Sequence, residues 1–120
     1  MEKYKLFDAE EKMMDIIWNN EPINSTVLKN ICEEKLGWKK STTYSMVKRL
    51  KDRKILTSDN AVIISNVTKE EVNKYQLNSL LEKSFDGSLP TFIATFLKDK
   101  KLTKSEIKDI MSVIDGASDE

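Results

Sequence analysis

The fold turns on two consecutive stretches, Ser41-Thr42-Thr43-Tyr44-Ser45-Met46-Val47-Lys48-Arg49-Leu50-Lys51-Asp52-Arg53 and Ile55-Leu56-Thr57-Ser58-Asp59-Asn60-Ala61-Val62-Ile63-Ile64-Ser65. The first stretch carries Met46, Val47 and Leu50 at helical spacing, with Thr43 one turn earlier, and predicts a helix over 41–53 with those residues inward. The second reads as strand, turn, strand, because β-branched Val62-Ile63-Ile64 suits a strand and Ser58-Asp59-Asn60 suits a turn.

Upstream, Ala9, Met13, Ile16 and Ile17 form one apolar stripe, so a first helix is expected from about Phe7 to Asn19, with Asp8 as its cap. Glu21-Pro22-Ile23 reads as a short extended link. Asn24 or Ser25 then caps a second helix with Val27, Leu28, Ile31, Cys32 and Leu36 on one side, ended by Gly37. Two helices joined around a glycine and succeeded by a hairpin give the order of a winged helix-turn-helix over 1–67.

Downstream the pattern is helical again. Thr68-x-x-Glu71 and Thr103-x-x-Glu106 are capping boxes, and Ser88 with Pro90 opens a helix between them. The first of these helices carries Val72, Leu77, Leu80 and Leu81, and the tail beyond Gly116 is expected to fray. Leu89, Phe92, Ile93, Phe96 and Leu97, with Ile107, Ile110, Met111 and Ile114, exceed what such short helices can bury alone. A helical dimerisation domain over 68–120 accounts for them; folding back onto the first domain is the alternative. The expected class is therefore mostly α with a small β-hairpin wing.

Composition narrows the function. With 39% hydrophobic and 33% charged residues and few Gly or Pro, the 120-residue chain reads as a globular, helix-rich protein. No apolar run is long enough to span a membrane, and the N-terminus lacks the apolar stretch of a signal peptide, so a cytoplasmic protein is expected. The single Cys32 and the absence of histidine remove the usual zinc sets and the common general base, so neither metal, cofactor nor enzymatic activity is expected. Cys32 reads as a small buried hydrophobe, and Trp18 and Trp38 as core or boundary aromatics.

Net charge is zero, but its distribution is uneven. Residues 39–54 hold seven basic residues against the single acid Asp52, whereas 59–120 hold eight lysines against eleven acids. Such a cluster is the footprint of a nucleic-acid contact, or simply a solvated helix face. In this architecture the N-terminal part of the 41–53 helix enters the major groove. Ser41, Thr42, Tyr44 and Ser45 are then the candidates for base edges, while Lys39, Lys40 and Lys48 would neutralise phosphates. Arg49 leans back toward the second helix or the first and reads as structural. A module that meets an acidic protein partner with the same basic face is the alternative, kept open by the neutral net charge.

Three blocks carry a family resemblance: Ala9-Glu10-x-x-x-Met14-x-x-Ile17-Trp18, the run Trp38-Lys39-Lys40-Ser41-Thr42-Thr43-Tyr44-Ser45-Met46-Val47-Lys48-Arg49-Leu50, and Lys54-Ile55-Leu56. On these the chain, from about 5 to 115, resembles the penicillinase-repressor family of transcriptional regulators. The resemblance implies a homodimer on double-stranded dyad operators, often of β-lactam-resistance genes, with the contacting helix falling on Ser41, Thr42, Tyr44 and Ser45. In the penicillinase branch a sensor-protease pathway relieves repression by cutting an asparagine–phenylalanine bond in the first dimerisation helix. The matching bond here is Thr95–Phe96, with threonine in place of the asparagine. The copper-responsive branch has a C-terminal cysteine cluster, and here no cysteine comes after Cys32. The wing departs as well: Thr57-Ser58-Asp59-Asn60 separates the strands with an acid and no base, so binding is expected to rest on the third helix.

Overall fold

The computed structural model describes residues 4–117; the leading residues 1–3 and the tail at 118–120 lie outside them. Helix α1 (Asp8–Asn20) buries Met13, Met14, Ile16 and Ile17 together with Glu10. Ala9, expected in this stripe, is exposed, because Glu10 takes the inward place one residue on. Asp8 is not the cap either. Phe7 occupies the cap position, and its N–H donates to the Glu10 carboxylate at 2.8 Å. Asp8 and Glu11 instead sit in the first turn, where the helix dipole favours negative charge.

The extended link becomes a strand. β1 (Ile23–Asn24) pairs antiparallel with β3 (Val62–Ser65), setting Ile23 opposite Ile63, and β2 (Leu56–Asp59) flanks β3 on the other side. The sheet order is β1-β3-β2. Asn24 caps α2 (Ser25–Leu36), its side chain accepting from the Thr26 N–H at 2.8 Å. Gly37 ends that helix in the left-handed region (φ 68°), where its N–H reaches the Glu33 carbonyl at 3.1 Å. Leu28 and Cys32, one turn apart, are buried; Ile31 and Leu36 are half-buried. Val27 is exposed, contrary to expectation, since it falls outside the line that Leu28 and Cys32 define.

Helix α3 (Lys40–Asp52) starts one residue earlier than expected, with Lys39 at the cap. Thr43, Val47 and Leu50 are buried, and Met46 stands half-buried at the edge of that stripe. The wing turn also differs. β2 continues through Ser58 and Asp59, and only Asn60-Ala61 connects the strands, both at positive φ (51° and 64°). Two such residues match the right-handed twist of a hairpin, which explains why the turn is tighter than Ser58-Asp59-Asn60. Leu56 and Ile63 point into the core, while Val62 and Ile64 face outward.

Met13, Met14, Ile17, Leu28, Leu50, Ile55, Leu56, Ile63, Val67 and Val72 form one core. Trp18 sits at its boundary and donates from Nε1 to the Ser65 hydroxyl (3.0 Å) and the Val67 carbonyl (2.9 Å). Three helices, a hairpin and an edge strand on one core make the winged helix. Helix α4 (Lys69–Ser84) opens with the Thr68/Glu71 capping box. Val72, a Lys69–Asp15 pair at 3.1 Å and a Gln76–Glu11 hydrogen bond at 2.7 Å fasten its first turns to this core. By compactness the chain divides within α4, into Met1–Leu80 and Leu81–Glu120.

The second unit contains α5 (Leu89–Leu97) and α6 (Lys104–Gly116). Ser88 caps α5 by accepting from the Thr91 N–H at 3.2 Å, and Thr103 with Glu106 closes a reciprocal box on α6. Phe92 meets Phe85 edge-on at 5.4 Å and stacks on Phe96 at 5.9 Å. No residue of α5 or α6 is buried.

These conformations give two expected outcomes. Ala61 pays the steric cost of a β-carbon at positive φ, so Ala61→Gly should raise unfolding stability by about 0.5–1 kcal/mol in a denaturant titration. An unchanged or lowered midpoint would contradict the turn. Burial pushes the Cys32 thiol above its ordinary range, which keeps it protonated at neutral pH. A thiol reagent should therefore label native protein far more slowly than unfolded protein; equal rates would mean that Cys32 is accessible.

Candidate nucleic-acid interface

A helix that buries only Thr43, Val47 and Leu50 must present the rest of its surface to solvent. On α3 the side opposite that stripe carries Ser41, Ser45 and Lys48, with Asp52 at its end. Lys40, Tyr44 and Lys51 form one flank; Thr42, Met46 and Arg49 form the other. Ser41, Thr42, Ser45, Lys40 and Lys48 are exposed, Lys39 is exposed at the cap, and Tyr44 is half-buried. All seven expected contact residues therefore gather on α3 or at its cap. Ser41 is no cap: it sits inside the helix, and its hydroxyl is not used to start it.

Lys40 places its ammonium 5.8 Å from the Tyr44 ring centre, which holds the ring against the first turn. Lys48 approaches Asp52 at 3.8 Å on the exposed face, a contact of little energetic weight. Ser41, Thr42, Ser45, Met46 and Arg49 line an open hollow of about 330 Å³. Hydroxyls and cations arranged this way can donate to phosphate oxygens and base edges, and the Thr42 methyl offers an apolar contact. The wing tip, Asp59-Asn60-Ala61, brings no cation.

Sequence reasoning did not find the group that fixes this helix. Glu10, with no exposed surface, receives Arg49 Nε at 3.0 Å and Arg53 Nη1 at 3.0 Å on Oε2. Arg53 also donates to the Lys5 carbonyl. Arg49 thus leans toward the first helix, one of its two expected directions. A usable signal was present: Glu10 stands three and four residues before Met13 and Met14, inside their stripe, and an acid there needs a cation.

In the second unit, Leu89, Phe96, Ile107, Ile110, Met111 and Ile114 are exposed, and Phe92, Ile93 and Leu97 are half-buried. Val113, not singled out from the sequence, is the most exposed of the large apolar residues at 73%. The Thr95–Phe96 bond lies inside α5 with both residues exposed. Among the described residues no cluster of acidic or sulfur ligands could hold a metal, and no helix is long and apolar enough to cross a membrane.

The penicillinase-repressor family model matches residues 6–116. A penicillinase repressor of Bacillus licheniformis is 22% identical over 115 residues, covering 92% of this chain and 90% of that protein. The match spans the winged helix and the helices after it, and it makes this chain a member of the penicillinase-repressor family, whose members regulate transcription and are not enzymes.

Proposed function

We propose that this chain is a transcriptional repressor that binds operator DNA through α3 and does so as a homodimer joined by α5 and α6. The observation that carries the reading is the exposed face of α3, where Ser41, Thr42, Ser45 and Lys48 converge with Lys40 and Tyr44 beside them. Base choice is assigned to Thr42, Tyr44, Ser41 and Ser45, and phosphate neutralisation to Lys39, Lys40 and Lys48. With Asp59 at the wing tip, affinity rests on α3 and is modest for a single copy.

A dimer remedies that weakness. Two copies of α3 held in fixed register would bind half-sites about one helical turn, roughly 34–36 Å, or a multiple of it apart, and a two-fold assembly requires a dyad operator. The apolar residues exposed on α5 and α6 support such a contact, since Ile107, Ile110, Met111 and Ile114 make one stripe of α6. In functional terms the first 67 residues bind DNA and the remainder dimerises. Thr95 stands where the penicillinase branch has its cut asparagine, so a proteolytic switch at Thr95–Phe96 would need a protease of different preference.

Fluorescence anisotropy against a duplex from upstream of the protein's own gene, and against an unrelated duplex, tests the reading. Thr42→Ala combined with Tyr44→Ala should remove sequence preference, at about 1–3 kcal/mol for each lost base contact. Lys48→Ala should weaken both duplexes alike and lower the salt slope by about 1. Specific affinity untouched by the Thr42/Tyr44 pair would reject α3 as the reading helix. Binding that ignores sequence and vanishes at moderate salt would favour an acidic protein partner instead, a reading that the zero net charge and the acid at the wing keep alive.

Sedimentation equilibrium tests the dimer separately. Native protein should sediment at twice the 13.8 kDa chain mass, and Phe96→Asp with Ile110→Asp should reduce it to one chain. A native monomer at micromolar concentration would contradict the assembly.

A further inference from the structure

Arg49 does two things at once. Its Nε is fixed on buried Glu10 at 3.0 Å and its Nη2 on the Met46 sulfur at 2.9 Å, yet its side chain remains 54% exposed. It borders the hollow on α3 that Ser41 and Ser45 also line, and it borders a second hollow of about 380 Å³ with Lys5 and Phe7. Ser41, Ser45 and Arg49 succeed one another at four-residue intervals, so two hydroxyls and a guanidinium run along one line of the helix.

Glu10 brings one negative charge to two guanidinium groups. Its oxygens are already occupied: Oε1 takes the Phe7 N–H and Arg53 Nη1, and Oε2 takes Arg49 Nε and Arg53 Nη1. An arginine has five N–H donors in a planar fork, and the contacts to Glu10 and Met46 use one edge of it. The remaining donors are held in a fixed orientation, with the freedom of the side chain already lost in the free protein.

We propose that Arg49 contacts a backbone phosphate of the bound DNA, alongside Ser41 and Ser45, and that buried Glu10 is the residue that positions it. This rests on the reading of α3 as the DNA-facing helix. Arg49 then has a role that its structural contact alone does not reveal, and Glu10 controls DNA affinity without touching DNA.

The test uses the full chain, the own-upstream and unrelated duplexes, and a series of potassium chloride concentrations. Arg49→Gln should lower affinity for both duplexes in parallel and reduce the slope of log K against log salt by about 0.9. Glu10→Gln should produce the same loss of slope, and the double variant should bind no worse than Arg49→Gln alone. A native slope in Arg49→Gln overturns the phosphate contact. A reduced slope in Arg49→Gln with a native slope in Glu10→Gln overturns the positioning role. If melting shows that Glu10→Gln does not fold, Arg49→Lys decides the point. Lysine keeps the charge but has no fork to hold Glu10 and phosphate together, so it should lose the slope as glutamine does; a native slope there also overturns positioning. Thr42→Ala with Tyr44→Ala, run in parallel, separates the two failures. If it changes binding while Arg49→Gln does not, α3 still reads DNA and only this inference falls.

Discussion

A carboxylate withdrawn from water must be compensated where it lies, since leaving an ion bare in a protein interior costs several kcal/mol. Glu10 is in that position, and its compensation comes from Arg49 and Arg53, at the C-terminal half of α3. The same carboxylate accepts the Phe7 N–H, so the entry of α1 and one flank of α3 are tied through a single group. The apolar stripe of Thr43, Val47 and Leu50, with half-buried Met46 beside it, seats α3 on the core. The arginine clamp adds a polar attachment along one flank. The outward face of α3 therefore has a defined aim.

How much of this was legible in the sequence depends on how local each signal is. Gly37, the Thr68 and Thr103 boxes and the Val47/Leu50 spacing act within one helix turn, and the structure has each of them where it was expected. β1 was not legible because it is only Ile23 and Asn24, defined by pairing with β3 nearly forty residues away. Glu10 was missed for a related reason. Hydrophobic patterning counts glutamate as outward-facing, and its partners Arg49 and Arg53 are distant in sequence. Ala61 misled the turn assignment because alanine rarely adopts positive φ, so the pattern favoured Ser58-Asp59-Asn60. At the candidate site, the exposed polar face of α3 was readable from periodicity alone, whereas its anchoring flank was not.

Zero net charge conceals an uneven distribution along the chain. Cations outnumber acids seven to one in residues 39–54, and acids outnumber lysines from Asp59 onward. That separation suits the proposed reading, in which the first part faces a polyanion and the second meets a copy of itself through apolar contact. The exposed stripe of α6 and the aromatic row Phe85-Phe92-Phe96 on the preceding segment belong to that second part. Family membership over residues 6–116 is consistent with both parts acting in one protein.

In the proposed reading α3, aimed by its anchoring on α1, is the surface that meets DNA. Amide chemical-shift mapping by NMR during titration with the own-upstream duplex examines it residue by residue. The largest shifts are expected on Lys39–Arg49, with Asp59-Asn60-Ala61 at the wing tip nearly unmoved. Shifts concentrated at the wing, or spread evenly with none favouring α3, would contradict it.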